Sequence, residues 1–82
     1  MRILIADDQS KVRFALRVLL ERQAALEIVG EAADAEELLA QVAADCPDLV
    51  LLGWELPGLT KIDLLAALRR VCPNLMVIAL SG

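Results

Sequence analysis

The sequence predicts an α/β fold, β-α-β-α-β-α-β, on a four-stranded parallel sheet, and three observations carry that expectation. Four short apolar runs alternate with three stretches of helical periodicity. Three of the runs are continuously apolar, as strands covered on both faces of a parallel sheet are. Part of the chain also repeats. Leu38-Leu39-Ala40 returns as Leu64-Leu65-Ala66, and Cys46-Pro47 as Cys72-Pro73, at a constant offset of 26 residues (72 minus 46). Each copy reads as a helix, a Cys-Pro stop and a buried strand, because proline cannot continue a helix. Right-handed crossovers would join the copies.

The first run is Ile3–Ala6. A helix follows from about Ser10 to Gln23, with Val12, Ala15, Leu16, Leu19 and Leu20 on one face at helical spacing. The second run, Ile28–Val29 with its flanks, is short and carries Glu27 and Glu31, which suits an edge strand. The second helix starts after Asp34, with Glu37 three residues on in a capping-box-like arrangement, and presents Leu38, Leu39 and Val42. Leu49–Leu52 is the third run. The third helix starts after Thr60, with Asp63 three residues on, and presents Ile62, Leu65 and Leu68 or Leu64. Leu75–Leu80 is the fourth run.

With 82 residues the chain is one domain or less, yet 59% of it is hydrophobic, above the usual ~45–50%. Leu, Val, Ile and Ala make the excess, since Phe14 and Trp54 are the only aromatics. Buried strands together with a subunit interface would account for it. A net charge of -4 argues against a nucleic-acid partner, which normally requires a basic patch. No apolar run approaches the ~18 residues that cross a membrane, and the N-terminus lacks a signal-peptide cleavage pattern. The expectation is a soluble cytoplasmic protein with neither nucleic acid nor membrane as partner. Two cysteines without a histidine are too few for a four-ligand zinc site. In a reducing cytoplasm a disulfide is not expected, so Cys46 and Cys72 read as small half-buried residues at helix ends.

Asp7-Asp8 closes the first strand, and open α/β sheets bind ligands outside the carboxyl ends of their strands. Adjacent carboxylates repel unless a cation or a donor lies between them, and Mg²⁺ is the natural hard cation. One of the two could instead cap the following helix. Spacing alone leaves both readings open.

Ile3-Leu4-Ile5-Ala6-Asp7-Asp8, Arg13, Val29-Gly30-Glu31-Ala32, Pro47-Asp48-Leu49-Val50-Leu51-Leu52 and Leu56-Pro57-Gly58 together resemble a bacterial two-component response-regulator receiver domain, of the type joined to helix-turn-helix DNA-binding domains. The resemblance covers nearly the whole chain. It implies a flavodoxin-like (receiver) fold with strand order 2-1-3-4 and a role in phosphorelay signalling. It further implies that Asp7 and Asp8 hold Mg²⁺, that the backbone carbonyl of Glu55 completes the metal site, and that Ser81 is the hydroxyl that senses the phosphoryl group. Pro57 matches the proline four residues after the acceptor.

Three departures bear on function. The resemblance places the acceptor aspartate one residue after Leu52, where this chain has Gly53; glycine offers no nucleophile. The glycine usual eight residues later is Lys61, so the loop from Glu55 to Lys61 is expected to differ. A complete receiver continues with a fourth helix, a lysine-bearing fifth strand and a fifth helix, so residues 1–82 read as a single truncated receiver-like domain. Neither Lys11 nor Lys61 fills the missing lysine's position, and no other protein cation is expected at the pocket. Mg²⁺ binding is then expected to be weak, with one of three carboxylates gone.

Without a fifth strand the fourth would be an apolar edge, a template for pairing. Phe14 and Val18 form a second apolar stripe on the first helix. The expected assembly is a twofold homodimer through Phe14, Val18, Leu75, Val77 and Ala79. The resulting expectation is a non-catalytic, non-enzymatic interaction or self-association module with a signalling-protein partner. The alternatives are a receiver phosphorylated on Asp7 or Asp8 with Mg²⁺, and a folded fragment without function. Trp54 reads as a pocket-flanking residue rather than a docking anchor.

Overall fold

The computed structural model describes residues 1–80. Its elements are β1 (Arg2–Ala6), α1 (Ser10–Leu20), β2 (Glu27–Ala32), α2 (Ala35–Ala44), β3 (Leu49–Gly53), α3 (Lys61–Val71) and β4 (Met76–Leu80). All strand pairs are parallel and the order is β2-β1-β3-β4, as the resemblance implied. β2 and β4 are the edges. β1 and β3, the central strands, are almost wholly buried apolar residues, which is why they read as unbroken runs.

The sheet separates two cores. On one face α2 and α3 cover Leu4, Ala6, Val50 and Leu52 with Leu38, Val42, Leu64 and Leu68. On the other, α1 alone sits over Ile3, Ile5, Leu49 and Leu51. Helix starts on the first face follow the sequence closely. Asp34 accepts a hydrogen bond from the Glu37 backbone N–H at 2.8 Å, and Glu37 in return accepts from Ala33 N–H at 2.7 Å. Thr60 Oγ1 accepts from Asp63 N–H at 3.2 Å. The bonds accepted by Asp34 and Thr60 satisfy donors that the first helical turn leaves without partners, and the one accepted by Glu37 fastens the residue before the cap.

Four expectations need correction. The buried side of α1 is not the predicted face, because Ala15 and Leu19 are exposed while Arg13 and Arg17 are half-buried beside Val12, Leu16 and Leu20. Both arginines turn toward Glu31 on β2 (Arg13 Nε 3.1 Å, Arg17 Nε 2.7 Å), laying their stems over the sheet. Ile62 is 79% exposed, since at ~100° per residue it stands on the far side of α3 from Leu64. Leu75 is buried at 3% and belongs to the core instead of a free strand edge.

The fourth correction concerns the cysteines, which form a disulfide. The two copies of the repeat lie side by side on one sheet face. Their Cys-Pro turns therefore meet, with Cα atoms 6.1 Å apart, inside the range that a disulfide spans. Cys46 is exposed and Cys72 buried, so neither is the half-buried free thiol expected. Next to this tie, Arg2 pairs with Asp45 and donates to the Cys46 carbonyl at 3.1 Å.

The five residues expected to mediate self-association do not share a surface. Val77 packs against the core under α2 and α3. Phe14, 68% exposed, lines a shallow cleft with Arg13 and Glu31, at the β2 side of the sheet. Val18 is exposed on the same helix, and Ala79 is exposed on β4 at the opposite edge. The apolar patch on β4 consists instead of Met76 and Ile78, each about half exposed. They pair with Leu49 and Leu51 and so share the α1 face of the sheet.

Candidate functional site

The carboxyl ends of β1 and β3 bring Asp7, Asp8, Gly53, Trp54 and Glu55 together. Asp7, Asp8, Gln9, Trp54 and Glu55 line one cleft. Asp7 is held from three sides. Its N–H donates to Ala32 O at 3.0 Å, its Oδ1 accepts from Gln9 N–H at 2.8 Å, and its carbonyl accepts from Arg13 Nη1 at 2.6 Å. The i to i+2 bond to Gln9 makes Asp7 an Asx turn ahead of α1. Gln9 is the N-cap, without a side-chain cap bond, so neither aspartate caps the helix directly. Asp7 is buried to 9% exposure and Asp8 is exposed.

Gly53 ends β3, where the resemblance expects an acceptor. A Cβ built on it would collide with the Asp7 carboxylate, standing 2.9 Å from Asp7 Cγ and 3.2 Å from Ala6 O. The Asp7 carboxyl group occupies the room that the missing side chain leaves. This arrangement could not be read from the sequence, because it depends on a rotamer.

The residues named for Mg²⁺ fit it incompletely. Asp7 and Asp8 supply two carboxylates, one oxygen of which already accepts from Gln9, and Gly53 supplies none. Among the described residues no three His, Cys, Asp or Glu side chains are grouped closely enough to hold an ion. Ser81, the expected phosphoryl-sensing hydroxyl, lies outside the described residues.

The loop from Glu55 to Lys61 is fixed by other means than the expected glycine. Gly58 takes φ +115°, and a Cβ there would stand 3.1 Å from Ala35 Cβ, so only glycine allows this close approach to α2. Pro57 O accepts from Ala35 N–H at 2.8 Å, which anchors the loop to the start of α2. Lys61 is the first residue of α3 and lines a second cavity with Gly53, Trp54, Leu59 and Leu64. Lys61 lines this second cavity and not the Asp7–Asp8 cleft, while Arg13, beside Asp7, is paired with Glu31. Trp54, 57% exposed, flanks both cavities, as its position predicted.

Behind the site, Glu31 joins Arg13 and Arg17. The Arg17 guanidinium, with help from Arg13, holds the Glu31 carboxyl below its ordinary range, against the opposing effect of burial. Arg17 is raised in turn, chiefly by its hydrogen bond to Glu31.

Comparison with known proteins places this geometry. The family described as "Response regulator receiver domain" matches residues 3–82. The chain is 37% identical over 74 residues to a protein-glutamate methylesterase/protein-glutamine glutaminase of Geobacter sulfurreducens, covering 90% of this chain and 20% of that protein. It is 36% identical over 82 residues to the transcriptional regulatory protein YhcZ of Bacillus subtilis, covering all of this chain and 38% of that one. Among solved structures, the response regulator domain of Thermotoga maritima CheB superposes with a TM-score of 0.89 at 27% identity, covering 99% of this chain and 60% of that one. RcsB from Salmonella enterica serovar Typhimurium bound to the promoter rprA gives 0.91 at 28% identity, covering 99% and 42%. The chain thus spans between a fifth and about three fifths of these proteins' lengths.

Proposed function

The chain belongs to the response-regulator receiver family, and on that premise we propose that it is a phosphorelay module that takes no phosphoryl group at Gly53 and acts through protein docking. The observation that carries this reading is the Gly53–Asp7 arrangement. The acceptor position has no side chain, and a neighbouring carboxylate fills its room. Phosphoryl transfer needs an exposed, in-line nucleophile and positive charge on the transferring oxygens. Asp7 is buried and tied to Gln9, which argues against its use as a substitute acceptor.

Incubation with acetyl phosphate and Mg²⁺, followed by intact-mass measurement, tests the reading. No gain in mass is expected. A gain of one phosphoryl group, mapped to Asp7 or Asp8, would replace it with an active receiver. Mg²⁺ should bind only weakly, by titration calorimetry, for want of the third carboxylate. The proposed location is the cytoplasm, where the Cys46–Cys72 pair would be held reduced, and the proposed role is non-enzymatic.

Self-association through the free side of β4 is the form of docking favoured here. β4 pairs only with β3 among the described residues, and Met76 and Ile78 lie open on its α1 face. A twofold pairing would cover both. Light scattering behind size exclusion, at micromolar concentration, should give a dimer. A clean monomer would remove this part of the reading and leave docking to a different partner.

A further inference from the structure

Among the described residues, one buried side-chain nitrogen or oxygen has no hydrogen-bond partner, the Nζ of Lys61. It lies 3.1 Å from the centroid of the Trp54 ring, and Lys61 takes part in none of the described ion pairs. An ammonium carries three donors, and an aromatic face offsets only part of the cost of burying them. A buried cation without an acceptor is destabilising until an anion meets it.

The same side chain lines a cavity of about 170 Å³ under the loop between β3 and α3. Leu59 and Leu64 form apolar walls, Gly53 leaves one side without a side chain, and Trp54 is more than half exposed. An apolar cavity of about 150 Å³ is large enough to take benzene, so this one has room for a group of that size. Glu55 also lines it, and Asp7 lies next to Gly53, so these carboxylates oppose any anion there and a dianion about twice as strongly as a monoanion.

We infer that this cavity binds a small monocarboxylate with a short apolar tail. Lys61 supplies the charge, Leu59 and Leu64 pack against the tail, and Trp54, already against the ammonium, lies beside the ligand. The site uses a residue of α3 rather than the Asp7–Asp8 cleft, and it stands whether or not the docking reading does.

Trp54 is the only tryptophan, so its fluorescence reports on the site directly. Butyrate is the probe, with butanol as the uncharged control and inorganic phosphate as the competing anion. The expected result is a saturable emission change with butyrate at millimolar concentration and none with butanol. Binding should weaken at least tenfold in Lys61→Met and persist in Lys61→Arg. Amide chemical shifts of Gly53 and Lys61, followed in the same titration, detect binding even where the indole stays still. Lys61→Gln replaces Lys61→Met if the latter does not fold. No saturable response in either measurement, or an undiminished response without the lysine charge, overturns the site. Tighter binding of phosphate than of butyrate overturns the carboxylate assignment.

Discussion

The carboxylate of Asp7 occupies the space that a side chain on Gly53 would need. The two positions are therefore coupled, and substitution at either should be felt at the other. Gly53→Ala is expected to cost about 1–3 kcal/mol, as overpacking in a close-fitting site does. In an Asp7→Ala background the same change should cost under about 1 kcal/mol, since the clash is gone. Urea denaturation of the four proteins of this cycle measures the coupling. Equal costs in both backgrounds would show that Asp7 does not fill the space.

The disulfide closes a loop of 26 residues. Cross-linking a loop of that size restricts the unfolded chain and contributes about 3 kcal/mol. Adding a reductant, or replacing Cys46 by Ser, should lower Tm by roughly 12–24 °C in a domain of this size. Calorimetry with and without dithiothreitol checks this, and Cys46→Ser should no longer respond to the reductant.

Glu31 has a lowered pKa when folded, first through Arg17 and then through Arg13. A carboxyl held low in this way binds its proton more readily in the unfolded chain. Its stabilising effect is thus complete above its unfolded pKa of about 4.3 and is lost as pH falls through the lower folded value. Stability should decline below about pH 4.3, and Glu31→Gln should flatten that part of the profile. Thermal melts between pH 2.5 and 7 provide the measurement. An unchanged acid limb in the variant would assign the decline to other carboxylates.

Ile78 stands half exposed on the free edge strand. A lysine there should disfavour strand pairing between copies with little effect on the fold, because charged side chains guard natural sheet edges. Ile78→Lys is expected to shift light scattering toward monomer while leaving circular dichroism unchanged. Retention of the dimer would move the interface away from β4.

Most of the fold was legible because its signals are local. Unbroken apolar runs marked β1, β3 and β4, and Asp34 and Thr60 marked the starts of α2 and α3 with the bonds they make. The α1 face was misread because Arg13 and Arg17 hold positions that periodicity assigns to apolar residues, and their partner, Glu31, is on the next strand, beyond the reach of helical spacing. The repeat contained the spacing of the cysteine pair, but an argument from redox compartment set it aside. At the site, Gly53, Asp7 and Asp8 could be located from the resemblance. The filling of the Gly53 space and the burial of the Lys61 ammonium depend on side-chain orientation, which spacing does not encode.

The order β2-β1-β3-β4 has a consequence for synthesis. β1 leaves the ribosome before either of its neighbours but lies in the middle of the sheet, and its second neighbour, β3, begins only at Leu49. At translation rates of about 5–20 residues per second, one edge of β1 waits a few seconds for its partner. During that interval Ile3–Ala6 can pair only with β2, and a very apolar strand is left open on one side. Folding in the cell should therefore depend on how that interval is managed, by translation speed or by a chaperone, more than on the stability of the finished sheet.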